Sequence, residues 1–447
     1  MLLFLTAVAC LLFVAYAVLI FFYQQRWAAI PYFVPGRDFV PERTGLAADG
    51  PPGSQAGAAL DEPTGNRAGL APFAPPASPA TRISVLIPAR NEAAGILDCL
   101  RSLALQTYPK DRFEVIVLDD HSTDGTAAVV ESFVAAGATG LALRCLRIAE
   151  VPLPSGLTAY KKFAIETGVG AASGELVVTT DADCFFDPQW LSTLAAFYSE
   201  KGAKFIAAPV RIEPAPRPAG HTTPENTTQP AGHATSRTPS LLGIFQTLDF
   251  ITLQGITGAA VHSNFHSMCN GANLAYAREA FYAVEGFKGI DHIPSGDDML
   301  LMHKIYLRYP GKVFFLRNRH AIVSTSPMTR WKGFINQRVR WASKADTYED
   351  RRIFWALLLV YLVNVLFIAL AAGAFFNYWW LWLLLVLLVV KTIVEYPFVR
   401  SVASFFGQQP LMVYFPLLQP MHIVYTVFVG WLGKFGSYSW KDRTIKK

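Results

Sequence analysis

The sequence predicts an α/β domain with a mixed, mostly parallel sheet, flanked by transmembrane helices towards both ends of the chain. Three observations lead there. Short apolar, strand-like runs alternate with helix-like stretches between residues 81 and 345. Two of those runs end directly in acidic clusters. Long apolar stretches lie on either side of this region.

Composition agrees. The chain has 447 residues, more than one ordinary core accommodates. Hydrophobic residues make up 52% and charged residues only 16%, which argues for a mixed membrane and water-facing architecture. The formal net charge of +6 is modest and fits an anionic membrane surface or phosphate-bearing substrates. No dense basic run suggests nucleic acid. The five cysteines, Cys10, Cys99, Cys145, Cys184 and Cys269, form no CxxC pair. They argue against a disulfide framework or zinc site, and most of them read as small buried hydrophobes in a reducing compartment.

The elements follow in order. Met1 to Tyr23 is an uncharged apolar run long enough to cross a bilayer, so residues 1–27 are expected to form an N-terminal transmembrane helix. The run lacks the basic start and small-residue cleavage site of a signal peptide. Arg26 places its C-terminal side in the cytoplasm. Residues 28–80, Pro/Ala/Gly-rich from Pro35 onwards, read as a flexible linker. Residues 81–350 are expected to form the cytoplasmic α/β domain, with residues 214–240 a disordered surface insertion. Asn226-Thr227-Thr228 in that insertion matches a glycosylation acceptor pattern, but a cytoplasmic loop would not be modified.

Within the domain, Arg82 to Pro88 is a buried strand, followed by a helix from about Glu92 to Leu105. Phe113 to Leu118 is a second strand, and Thr126 to Ala135 a helix. Glu175 to Thr180 is a third strand. In open α/β sheets ligands bind beyond the carboxyl ends of strands, and both acidic clusters sit at that edge.

Asp119 and Asp120 end the second strand. A carboxylate there can accept a base N–H or ribose hydroxyls; simple turn chemistry is the plainer reading. Asp181 and Asp183 follow the third strand and point to one side of an extended segment. Two carboxylates so placed can bind a hard cation such as Mg²⁺ or Mn²⁺, although an isolated pair is more often a turn cap. Lys161 and Lys162 open a helix, where a cation can reach a phosphate or simply remain solvated. In Gly296-Asp297-Asp298 one Asp can cap the next helix while the other serves as a base. Gln337, Arg340 and Trp341 share a helix face. Arg grips a diphosphate bidentately and indole stacks on a sugar ring; the plainer reading is an interfacial anchor. Arg338 and Val339, on other faces, read as anchor and packing residues.

The expected C-terminal transmembrane region is residues 351–435, with spans at Phe354 to Phe376, Trp379 to Val394 and Leu411 to Leu432. Residues 436–447 form a basic tail that prefers the cytoplasm. Four crossings in total would put that tail outside. So one segment is re-entrant or interfacial, or the stretch from Lys391 to Gly433 crosses twice.

In order and spacing, Ile87-Pro88-Ala89-Arg90-Asn91-Glu92, Asp119-Asp120-His121-Ser122-Thr123-Asp124-Gly125-Thr126, Lys161, Asp181-Ala182-Asp183, Gly296-Asp297-Asp298 and Gln337-Arg338-Val339-Arg340-Trp341 resemble the membrane-bound family 2 glycosyltransferases. That group includes cellulose, chitin and hyaluronan synthases and ceramide glucosyltransferases. The resemblance covers roughly residues 81 to 345 apart from the insertion. It implies a GT-A (Rossmann-like) fold and inverting transfer from a nucleotide-diphosphate sugar. Asp119 or Asp120 would bind the nucleoside, Asp183 with Asp181 the metal, and Lys161 would lie near the nucleotide. Asp298 would be the general base, with Asp297 beside it at the substrate. Gln337, Arg340 and Trp341 would close over diphosphate and acceptor sugar. Two positions depart from the family pattern: Gly296-Asp297 stands for the usual Thr-Glu, and His121 for a common glycine. The implied partners are a UDP- or GDP-sugar, a lipid, lipid-linked or glycan acceptor, and the membrane. A processive polysaccharide synthase and an inactive membrane scaffold are the alternatives.

Overall fold

The computed structural model describes residues 2–36, 81–137, 140–154, 156–213, 240–344, 350–436, 438–440 and 443–445. Most of the expected linker, nearly all of the expected insertion and Asn226 lie outside the described residues.

Helix α1 (Leu2–Ala29) leads to the α/β domain and is fastened to it. The Arg317 guanidinium donates to the Ile30 carbonyl at 2.8 Å and lies 4.9 Å from the Trp27 ring. Phe33 N–H donates to the Arg317 carbonyl at 3.0 Å, and Asn318 donates back to the Phe33 carbonyl. Residues 30–33 are therefore docked, and any linker starts later than residue 28.

Among the described residues, the strands of the α/β domain are β1 (Ile83–Ala89), β2 (Phe113–Asp119), β3 (Ala142–Arg147), β4 (Leu176–Thr179), β5 (Cys184–Phe186), β6 (Phe205–Ala207), β7 (Val210–Ile212), β8 (Leu274–Ala277), β9 (Val313–Phe315) and β10 (Val323–Thr325). Seven form one sheet in the order β3-β2-β1-β4-β8-β6-β9. The half from β3 to β4 is parallel; β8 runs antiparallel to both β4 and β6; β9 is parallel to β6. The other three form a small sheet, β5-β10-β7. β1, β2 and β4 are almost wholly buried, as strands covered on both faces must be. Their ends align: Asp120 N–H donates to the Ala89 carbonyl and Thr180 N–H to the Leu86 carbonyl.

The helices of the domain are α2 (Ile96–Ala104), α3 (Thr126–Ala135), α4 (Tyr160–Ala171), α5 (Trp190–Lys201), α6 (Leu241–His262), α7 (Arg278–Ala283), α8 (Asp297–Arg308) and α9 (Trp331–Ala342). α2 begins four residues after the expected Glu92. Asn91 is left-handed (φ 53°), Glu92 N–H donates to Thr126 Oγ1, and Ala93 N–H donates to Asp124 Oδ2. These residues tie the β1–α2 loop to the β2–α3 turn before the helix starts.

α6 joins the domain to the apolar helices. A Cβ on Gly258 would lie 2.8 Å from the Trp27 ring, and one on Gly255 would strike Val402 and Phe398. Only glycine permits this approach. α10 (Arg351–Gly373), α11 (Tyr378–Phe406) and α12 (Phe415–Phe435) complete the helices. α1, α10, α11 and the segment Gln409–Phe435 are long and apolar enough to cross a membrane. α11 is longer than the expected Trp379 to Val394, running through Pro397 to a left-handed Gly407. In the expected tail, Tyr438–Trp440 and Arg443–Ile445 pair as an antiparallel hairpin.

Candidate active site

The acidic end of β2 is buried. Asp119 closes the strand, and its Oδ1 has no hydrogen-bond partner among the described residues. Such an atom is costly to leave unpaired. Asp120 follows, with Oδ1 2.9 Å from His121 Nδ1, while its backbone carbonyl accepts from Arg90 Nη1 at 2.9 Å. His121 itself is left-handed (φ 57°), which accounts for the glycine common at this position: glycine adopts that conformation without steric cost.

A second group assembles from three elements. Lys161, on the first turn of α4, places Nζ 3.0 Å from Asp181 Oδ1 beyond β4 and 3.4 Å from Asp297 Oδ2 on α8. Burial opposes the Lys161 charge, but Asp181 and then Asp297 hold its pKa well above the ordinary lysine value. Burial likewise works against an ionised Asp297, but Lys161, Lys344 and Lys162 outweigh it and lower the pKa. Both groups therefore stay charged at neutral pH. Asp298 accepts from Gly271 N–H through Oδ2 (3.1 Å) and from Met299 N–H through Oδ1 (2.8 Å). Neither aspartate is the helix cap expected of one of them: the cap position is Gly296, left-handed at φ 77°, and both aspartates lie in the first turn. Gly271 marks the convergence: a Cβ there would lie 3.5 Å from Asp298 Oδ2, 3.5 Å from Lys161 Nζ and 3.7 Å from Asp297 Oδ2. Asp183 Oδ2 accepts from Thr325 Oγ1 at 3.1 Å, across the β5–β10 pairing.

Two expectations are corrected here. Lys162 does not reach for a phosphate. It is buried and donates to the Ile290 and Ile293 carbonyls at 2.6 and 2.9 Å, bracing the loop before Gly296. Burial pushes its pKa down to about 8. Arg338 is not a surface anchor. It is buried under α9, with Nε donating to Asp249 Oδ2 on α6 at 2.9 Å and Nη1 donating to Gln337 Oε1 at 2.9 Å. Its guanidinium carbon is 4.1 Å from the Trp341 ring centre. Arg338 thus fixes both Gln337 and Trp341. Val339 is buried against Val429, a packing residue as expected.

One cavity of about 1150 Å³ joins these groups. Asp120, Lys161, Asp181, Asp183, Asp297 and Asp298 line it on the domain side, and Gln337, Arg340 and Trp341 also face it. It continues between α10, α11 and α12 along mainly apolar side chains such as Leu357, Phe398 and Leu418. Asp119 does not line it. Gly271, Thr325 and Asp249 belong to the site without having been singled out in the sequence. Each lies far along the chain from its partner, and no local pattern marks it.

Residues 84–250 match the family model described as Glycosyl transferase family 2, and this stretch is a domain of that type. Glycosyltransferase AglE from Haloferax volcanii is 32% identical over 130 residues, 29% of this chain and 40% of that protein. Dodecaprenyl-phosphate galacturonate synthase from Rhizobium johnstonii is 33% identical over 116 residues, 26% of this chain and 31% of that protein. The chain thus spans well under two thirds of the length of these relatives. Among solved structures, the mannosyltransferase PcManGT from Pyrobaculum calidifontis, in complex with GDP-Man and Mn²⁺, covers 94% of this chain and 99% of its own at 18% identity, with a TM-score of 0.51. This likeness establishes a shared fold of the GT-A type.

Proposed function

We propose that this protein is a membrane-embedded inverting glycosyltransferase that moves a sugar from a UDP- or GDP-sugar to a lipid or lipid-linked acceptor. One observation carries the reading. Asp120, Lys161, Asp181 and Asp183 from the stretch that matches family 2 line a single cavity together with Asp297, Asp298 and the Gln337-Arg340-Trp341 face from beyond that stretch, and the cavity continues among the apolar helices.

In this reading Asp120 contacts the nucleoside from the cavity wall, while Asp119, which does not line the cavity, lies buried behind it. Asp181 and Asp183 hold the diphosphate through Mg²⁺ or Mn²⁺. Asp181 and Asp183 both line the cavity, and two carboxylate donors suit a hard cation whose remaining ligands are diphosphate oxygens. The cation supplies charge neutralisation at the leaving group. Lys161 adds a fixed positive charge beside Asp181, in a setting where electrostatics act strongly. Asp298, oriented by two backbone N–H groups, takes the proton of the acceptor hydroxyl as it attacks the anomeric carbon. Trp341 offers the acceptor a stacking face and Arg340 a grip on the diphosphate.

The apolar continuation of the cavity favours a lipid-borne acceptor over a growing polysaccharide. Arg26, Arg351 and Arg352 flank the apolar helices on the domain side and favour a cytoplasmic α/β domain. The test supplies a panel of labelled UDP- and GDP-sugars to the purified protein in lipid with Mn²⁺. Release of nucleoside diphosphate with a labelled lipid product is expected; a product ladder on a gel would favour polymerisation, and no release with any donor would refute the reading.

A further inference from the structure

We propose that α12 is a re-entrant limb rather than a fourth crossing, and that the gap between it and α10 is a lateral portal through which a membrane amphiphile enters the cavity. The α/β domain marks one side of the helical bundle. α1 and α11 both end there: the Trp27 and Phe405 rings lie 5.7 Å apart, and Arg319 donates to the Ser404 and Phe405 carbonyls at 3.1 and 3.2 Å. α10 starts there, where Asp350 accepts from Ser267 N–H and Arg352 donates to the Asn264 carbonyl.

A crossing α12 would end roughly 30 Å away on the far side. It ends instead on the α/β domain. A Cβ on Gly433 would lie 2.6 Å from Ala342 Cβ, at the end of α9. One step earlier, Tyr425 stacks on Phe334 with ring centres 5.5 Å apart, and His422 lies 3.9 Å from Asp249.

The start of α12 sits deeper. Gln419 pairs with Lys391 at 2.7 Å and with Glu395 at 2.5 Å. Glu395 is about 16 Å along α11 from its domain-side end, at 1.5 Å per residue. The chain therefore climbs from Gly407 through the 3-10 turn Gln409–Tyr414 and returns as α12. At the apex Lys391, Glu395, Gln419 and Tyr16 satisfy one another, as charged groups within hydrocarbon must. This path gives three crossings.

The outer face of α12 is apolar and is not covered by the described residues. Leu417, Val424, Phe428, Trp431 and Phe435 are exposed and recur at helical spacing along one stripe. The cavity opens beside it. Its lining includes Phe354 and Leu357 of α10 and Trp431 and Phe435 of α12, which are 40%, 47%, 54% and 72% exposed. Farther along, α10 and α12 close on each other, where a Cβ on Gly430 would lie 2.7 Å from the Tyr361 ring. An apolar mouth continuous with Asp298 suits a lipid whose polar end carries the acceptor hydroxyl. That last step rests on the transferase reading; the path of α12 and lipid entry do not.

Two measurements on the full chain test the proposal without turnover. Epitope tags before Met1 and after Lys447 are probed by protease in sealed membrane vesicles. Protection of one tag and cleavage of the other, in vesicles of one orientation, is expected; equal accessibility would overturn the re-entrant path. The protein is also reconstituted in phosphatidylcholine–phosphatidylglycerol vesicles carrying a diazirine-acyl phosphatidylcholine. After irradiation, peptide mapping should find adducts at the buried lining residues Ile353 and Val429 as well as at exposed Leu357. Adducts at Leu357 alone would overturn the portal. Failure of every sugar donor, with both results positive, would sink only the transferase reading.

Discussion

Arg338→Met should weaken the fold severely, and Asp249→Leu in the same chain should restore much of it. Arg338 and Asp249 are 3% and 7% exposed at their side chains, with Nη2 2.8 Å from Oδ2. Removing one member of such a pair leaves a buried charge uncompensated and costs about 3–5 kcal/mol. For a domain of this size that lowers the unfolding midpoint by roughly 6–20 °C. Replacing both charges with apolar groups of similar volume is often neutral, so the double variant should regain most of the loss. The assay is thermal unfolding of the four proteins in one detergent, followed by tryptophan fluorescence. Losses that simply add in the double variant, or a single-variant loss under about 1 kcal/mol, within the range of an exposed pair, would refute the buried-pair argument.

Other predictions follow from the same geometry. Gly271→Ala places a methyl among Lys161, Asp297 and Asp298 at ordinary contact distance, so the unfolding midpoint should hold while nucleoside diphosphate release falls at least tenfold. Trp341→Ala should retain nucleotide binding, measured by titration with UDP and GDP, but lose transfer; an interfacial anchor would tolerate the change and keep both. It also removes the Arg338 contact, worth about 0.5–2 kcal/mol. Lys162 has a native pKa near 8, below that of an unfolded lysine. Between pH 8 and about 10 the unfolded chain binds the extra proton, so this group makes stability rise with pH. Lys162→Met should flatten that slope in pH-dependent unfolding; an unchanged slope would contradict the assignment.

What was legible in the sequence is what repeats locally. β1, β2 and α3 fall where apolar runs and turn residues place them, because each is specified by its own pattern. The onset of α2 was not legible, because residues 91–93 are fixed by a turn some thirty positions later. Arg338 looked like an anchor because its sequence neighbours are basic and aromatic; its partner Asp249 lies on another helix. Asp298 and Lys161 were visible as residue types, but their meeting at Gly271 depends on the β4–β8 pairing. The path of α12 was ambiguous for a related reason. Hydropathy reports length and apolarity, whereas Gly433 against Ala342 is a tertiary contact.

The most direct test of the central claim compares wild type with Asp298→Asn. Both are reconstituted in lipid with Mn²⁺ and the donor that the labelled panel identifies, and initial rates of nucleoside diphosphate release are measured. The account predicts that Asp298→Asn binds donor with unchanged affinity and turns over at least a hundredfold more slowly, consistent with the loss of a positioned base. Undiminished turnover in Asp298→Asn would contradict it.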